Sequence, residues 1–212
     1  MLMSVVALED WTFDFCGGEL ALDFANTVES RLGLEPLERL GSYARLVAWG
    51  VQAGALGQDK ATALLARARR SPPRANELMS IALELRESLF RLFRAHAHGR
   101  PPHPAELVVL NGWMPRTLGC LRIEKRPNSY GWRWTDDDAL DRMLMPVARS
   151  ATELLTQSAR LSRVRICSAP TCGWLYIDTS KNGRRRWCSM ERCGNREKAR
   201  RHYQRQRLAP PG

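Results

Sequence analysis

Three quarters of this 212-residue chain lacks net charge. Residues 1–159 hold 19 basic and 19 acidic side chains, whereas residues 160–207 hold 14 Lys+Arg against 3 Asp+Glu, an excess that equals the formal charge of the whole protein, +11. One short segment therefore calls for a polyanionic partner, and the rest does not. Long apolar runs are also missing, since no uncharged stretch approaches the ~20 residues of a transmembrane helix. Residues 1–10 contain no Lys or Arg, and Glu9 and Asp10 close their apolar stretch, so a secretory signal is not expected. The expectation is a cytoplasmic, reducing location, nucleoid-associated if the polyanion is DNA, where disulfides are disfavoured. Histidine is scarce, and the basic segment holds only His202. That leaves a His/Asn-type nuclease site without its base, so no enzyme is expected. There is no repeat, and only the proline-bearing tail 208–212 reads as disordered.

What the basic segment does have is cysteine. Cys167, Cys172, Cys188 and Cys193 form C-x4-C-x15-C-x4-C. A four-coordinate structural zinc needs two thiolate pairs, each close enough in sequence to grip the ion from one short turn. An iron–sulfur cluster and free thiols are the alternatives, and paired half-sites followed by a basic helix fit one structural Zn2+ better. Between the pairs, Gly173 to Asp178 is aromatic and β-branched, Asn182-Gly183 supplies a turn, and Arg185-Arg186-Trp187 leads back to Cys188, which predicts a hairpin within the gap. Beyond Cys193, the run from Gly194 to Arg207 contains no proline and reads as a helix. Knuckle, hairpin and helix in this order are treble-clef-like. Cys16 and Cys120 have no partner in sequence and read as ordinary buried thiols.

The string RRWCSMERCGNREKARRHYQR, Arg185 to Arg205, closely resembles the CGNR zinc fingers, as does the upstream CSAPTCGWLYIDTSKNGRR. The segment FCGGELALDFANTVESR, Phe15 to Arg31, resembles the start of the ABATE domain that commonly precedes this finger, through Gly17-Gly18, Leu22-Asp23-Phe24 and Asn26-Thr27. The resemblance implies a transcription regulator, in some members linked to stress, with all four cysteines as metal ligands.

Residues 1–159 are expected to form a helical domain with its own core, residues 160–207 a finger that needs its metal to fold. The fold class is mainly α with small β-hairpins. Phe13 and Phe15 read as a short strand before Gly17-Gly18, and Leu20, Phe24 and Thr27 follow helical spacing. Helices are predicted over 43–53, 59–70 and 75–97, the last with Leu78, Ile81, Leu85, Leu89, Leu92 and Phe93 on one face. Another starts after Pro104. A hairpin joins 120–123 to 130–134. Thr135 is expected to cap a long helix through Asp136, Asp137 and Asp138 toward the finger.

Two sets of residues are candidates for contact with partners. Arg184, Arg185, Arg186, Arg196, Lys198, Arg200, Arg201 and Arg205 are candidate nucleic-acid contacts, because the guanidinium fork suits phosphate and guanine edges alike. Duplex DNA is the leading partner, with RNA the alternative that charge alone cannot separate. Part of the charge has an internal use: Arg185, Arg186 or Arg196 is expected to offset the thiolates through N–H···S contacts. Asp23 and Asn26, polar within an apolar segment, are candidates for a small-molecule effector or homodimer surface, with local hydrogen bonding as the structural alternative.

Overall fold

The structure, a computed structural model, describes residues 11–135 and 138–208. The predicted role of Asp136 and Asp137, and most of the predicted disordered tail, lie outside the described residues.

Residues 11–16 form no strand, in contrast to the expectation from sequence. Side chains satisfy their backbone in place of a partner strand: Phe13 N donates to Gln52 Oε1, and Thr12 O accepts from Arg39. Helix α1 (Leu20–Ala25) follows, and its Leu22 and Phe24 are fully buried. Two-residue strands β1 (Val28–Glu29) and β2 (Leu37–Glu38) pair antiparallel. Ser42 caps α2 (Tyr43–Gln52) by accepting from Arg45 N. Helix α3 (Gln58–Arg70) leads through Ser71 into α4 (Pro72–Ala97), the longest element. Pro72 and Pro73 open α4, where no amide hydrogen is needed, so the helix starts at Pro72 and not at Ala75 as expected.

His103 caps α5 (Pro104–Gly119), in which Leu110 is buried while Leu107 and Val108 face outward. Strands β3 (Leu121–Arg126) and β4 (Ser129–Trp134) form the predicted hairpin in full register. The next helix, α6 (Leu144–Thr156), has Met143 at its cap position, eight residues beyond Thr135, the cap expected from sequence. Pro146 favours the later start. In a helix begun at Thr135 it would lie deep in the interior, removing a hydrogen bond and clashing with the preceding turn, whereas here it sits in the first turn.

A single apolar core joins α1 to α6. Phe24 and Trp49 are its centre, with ring centroids 4.9 Å apart, and α4 contributes Leu85, Leu89 and Phe93. After the short α7 (Ser158–Leu161) come β5 (Val164–Ile166) and β6 (Leu175–Ile177), which pair antiparallel. Val164, Leu175 and Ile177 belong to the same core as the helices. The predicted strand at 175–177 is thus present, but its partner is Val164–Ile166 and not residues 185–187 as expected. The return segment is held by side chains: Arg185 N donates to Asp178 Oδ2, and Tyr176 Oη donates to Arg185 O. A π-helical turn (Met190–Gly194) then leads into α8 (Asn195–Leu208).

Candidate metal centre and basic surface

The two cysteine pairs meet from opposite directions. Cys167 and Cys172 lie in the turn that joins β5 to β6, where Cys167 N donates to Trp174 O and Cys172 N to Ala169 O. Gly173 makes this turn tight: its φ is +71°, and a Cβ there would approach Leu32 Cγ to 2.6 Å. Cys188 ends the return segment, and Cys193 sits in the π-helical turn, where Cys193 N donates to Ser189 O.

All four sulfurs are buried and lie within 4.8 Å of one another. Cys172–Cys188 and Cys188–Cys193 separations are both 3.7 Å. A tetrahedral zinc with Zn–S bonds of ~2.3 Å sets its sulfurs about 3.8 Å apart, so the cage has the size of that ion. The chemistry of the thiols fits as well. Hydrogen bonds from Cys172 and Cys188 hold the Cys167 thiol far below its usual range, and the bond with Cys167 pushes Cys172 up. Contacts with Cys16 and then Cys167 push Cys188 up, and burial pushes Cys193 up. A divalent cation supplies the charge that lets all four ionise. Outer contacts are present too: Cys188 N donates to Cys167 Sγ at 3.4 Å and Arg196 Nη2 to Cys193 Sγ at 3.6 Å. Arg196 thereby fills the N–H···S role expected of one of three arginines.

The finger is docked on the helical domain by polar contacts that the sequence did not reveal. Asn26 Nδ2 donates to Leu175 O and Asn26 Oδ1 accepts from Leu175 N, both at 2.8 Å. Trp174 Nε1 donates to Val28 O at 2.7 Å, and Arg31 N donates to Cys172 O at 3.1 Å. Arg192 pairs with Asp14 and Glu29, and its guanidinium lies 5.2 Å from the Trp174 ring centroid. No local pattern marks Arg192, Arg31 or Trp174 as a link, because each partner lies at the other end of the chain.

Asp23 and Asn26 face this junction. Asp23 Oδ1 accepts from Gly17 N at 2.7 Å. Burial, with Glu19 adding to it, raises the Asp23 pKa to about 7 even though bonds from Gly17 and Cys16 backbones lower it. The cavity the two residues line with Phe13, Thr27 and Trp174 is about 10 Å³, room for one water.

The candidate nucleic-acid contacts divide. Arg184, Arg186, Arg196, Lys198, Arg200 and Arg201 are exposed. Arg185 is half-buried and engaged within the finger: it donates to Trp187 O and Cys188 O and lies over the Tyr176 ring, 4.6 Å from its centroid. Arg200 pairs with the buried Glu197 at 2.8 Å. Among the described residues Arg184, Arg186, Lys198 and Arg201 form no ion pair. Arg205 is on α8, and its side chain lies outside what the structure describes. Of the described α8 side chains only Glu197 is buried, so the helix is held at its N-terminal end and projects as a polar rod.

Cys16 is not the isolated thiol expected from its position in sequence. It is half-buried and packs against the four-cysteine cluster, while Cys120 lies elsewhere. The only sequence signal was its place directly before Gly17-Gly18.

Among the described residues no helix is long and apolar enough to cross a membrane. Comparison with the curated proteins gives no match. Two family profiles do match: residues 163–206 match the CGNR zinc finger, and residues 18–158 match ABATE, described as "putative stress-induced transcription regulator". The cysteine cage is therefore a CGNR finger fitted for one structural zinc, and the chain, matched over residues 18–158, belongs to the ABATE family.

Proposed function

We propose that this protein is a DNA-binding transcription regulator. The finger in this reading is a treble clef, with knuckle, strand and ligand-bearing helix entry in that order. Its projecting helix α8 enters or lies along the major groove, and Arg184 and Arg186 hold the phosphate backbone. The observation that carries the reading is exposed charge without a counter-ion: Arg184, Arg186, Lys198 and Arg201 stand exposed around a metal-anchored turn with no ion-pair partner among the described residues, although the Arg186 guanidinium also lies over the Trp187 ring. The helical domain is the sensing or dimer-forming part, and Asn26 and Trp174 are the contacts through which a change there reaches the finger. The reading assigns no catalytic role to any residue and places the protein at the nucleoid.

Binding to duplex DNA measured against salt tests it. Affinity should fall as salt rises, and replacing Arg184 and Arg186 by alanine should weaken binding and flatten the log–log slope by about 0.9 for each phosphate no longer neutralised. Arg185→Ala should instead loosen the finger, because its guanidinium is spent on Trp187 and Cys188 carbonyls. Loss of a base-reading arginine on α8 should relax sequence preference by roughly 1–3 kcal/mol. A binding selection that enriches no DNA sequence, together with tighter binding of structured RNA, would overturn the reading.

A further inference from the structure

The neutrality of residues 1–159 is an average, and the β3–β4 hairpin departs from it. Residues 119–135 hold Arg122, Lys125, Arg126 and Arg133 against the single acid Glu124. The strand register sorts these side chains by face. Leu121, Ile123 and Lys125 stand opposite Trp134, Trp132 and Tyr130 on one face, while Arg122, Glu124 and Arg126 share the other with Arg133 and Gly131. The second face uses its charge within the protein: Arg133 pairs with Glu124 at 3.3 Å, Arg122 Nη1 donates to Gly119 O and Leu121 O, and Arg126 Nη2 donates to Trp132 O. The first face is different. At its base Leu121 is buried and the Arg142 guanidinium lies 5.1 Å from the Trp134 ring centroid, which ties the hairpin to the body of the protein. Toward the turn, Ile123, Trp132 and Tyr130 keep 67%, 50% and 73% of their surface exposed, and Lys125, also exposed, forms no ion pair among the described residues.

Exposed large apolar side chains gathered on one ribbon mark a contact surface, and the cations decide its kind. A surface for docking a protein is depleted of charge at its centre. Here each ring has a cation at its side. Lys125 is the cross-strand partner of Tyr130, and the Arg149 guanidinium, held by Glu153 at 2.7 Å, lies 5.3 Å from the Trp132 ring centroid. Rings interleaved with cations suit a chain that offers flat bases and phosphates together. Tyr130 and Trp132 are two residues apart on one strand, about 6.7 Å along it and roughly twice the rise between stacked bases of a duplex, so these rings fit bases that have left the stack. Bases paired inside a duplex offer no free face to them. We propose that the β3–β4 hairpin binds single-stranded nucleic acid, with Tyr130 and Trp132 stacking on unpaired bases and Lys125 meeting a phosphate. The surface shares no residue with the duplex contacts assigned to Arg184, Arg186 and α8, so it stands or falls independently of that reading.

The test uses the full-length, zinc-loaded protein and measures fluorescence anisotropy of short labelled oligothymidylate and oligouridylate, with a DNA duplex as a separate arm. Tyr130→Ala and Trp132→Ala should each weaken single-strand binding by roughly five- to a hundredfold while leaving its salt slope unchanged. Lys125→Ala should instead flatten that log–log slope by about 0.7. Duplex affinity should be unchanged in all three, and only the Arg184→Ala, Arg186→Ala pair should weaken the duplex arm, so failure of the hairpin and failure of the finger are told apart. Phenylalanine at position 130 or 132 keeps a ring and should keep most of the affinity, which separates stacking from loss of fold. The tighter of the two oligomers identifies the strand as DNA or RNA. Ultraviolet cross-linking with peptide mapping of the wild type should place bases on residues 129–134. Wild-type affinity of Tyr130→Ala and Trp132→Ala for both oligomers, or cross-links confined to residues 163–206, would overturn the proposal. So would a wild-type dimer that Tyr130→Ala converts to monomer by light scattering, because a second copy would then cover the rings.

Discussion

Around Trp49 and Phe24 the chain buries apolar side chains from six helices, so no single contact is indispensable. Around Cys188 the opposite holds. The finger's own buried set is small, four cysteines with Ala169, Trp174 and Tyr176, and each ligand closes the cage. The helical part draws stability from area, which degrades gradually, and the finger from a metal and a few directed bonds, which fail all at once. The junction between them uses both means, because Val164, Leu175 and Ile177 sit in the helical core while Asn26, Arg31 and Arg192 make polar ties.

The largest expected effect is at the metal. Elemental analysis should return about one zinc per chain, and Cys167→Ser and Cys188→Ser should be equally damaging, since a structural zinc contributes on the order of 10 kcal/mol to folding its site. Stoichiometric iron, or a folded metal-free finger by NMR, would erase the contrast between the two parts. Next comes the core: Trp49→Ala should cost ~3–5 kcal/mol by denaturant unfolding. If the junction couples the parts, hydrogen exchange should then quicken in β5 and β6 as well as in α4; faster exchange in α4 alone would mean two separate units.

The third concerns pH. The Asp23 pKa is about 7 in the folded chain against an ordinary value of 3.8, so the folded state holds the proton more tightly. Its contribution is complete below the ordinary value and is lost as pH rises from about 4 to 7. Asp23→Asn should flatten the fall in stability across that window, by on the order of a few kcal/mol. An unchanged profile would show that Asp23 is ionised in place. The smallest effect expected is for Asn26→Ala, about 2 kcal/mol for leaving Leu175 N and O unpaired, with increased exchange confined to 164–177.

What the sequence disclosed about this molecule follows from the range of the forces involved. The four ligands were legible because a thiolate pair must sit in one short turn, which is a local constraint. The helices were legible where one face is apolar, as in α4. Pro146 pointed to a later start for α6, since a proline costs no hydrogen bond in a first turn and one deep in a helix, a cost that α5 bears at Pro115. The partner of β6 was not legible, because strand pairing depends on what the knuckle turn brings together, and a basic return segment looks strand-like by composition. Asn26 and Cys16 were ambiguous for the same reason: what they meet, Leu175 and the cluster around the four cysteines, is distant in sequence, and nothing near them states the contact.

The β5–β6 hairpin has one more consequence, for the order in which the site is assembled. Its base is set into the helical core through Val164, Leu175 and Ile177, and its tip carries Cys167 and Cys172. Half the cage is therefore mounted on the helical core, whereas the arm with Cys188 and Cys193 is held by polar bonds of Arg185 and Arg192. Loading should proceed from the tip of the hairpin outward, with a two-sulfur encounter followed by closure of the arm. A preorganised half-site costs less chain entropy on closing than a free peptide does. Zinc should accordingly bind the full chain more tightly than it binds an isolated peptide of residues 163–206.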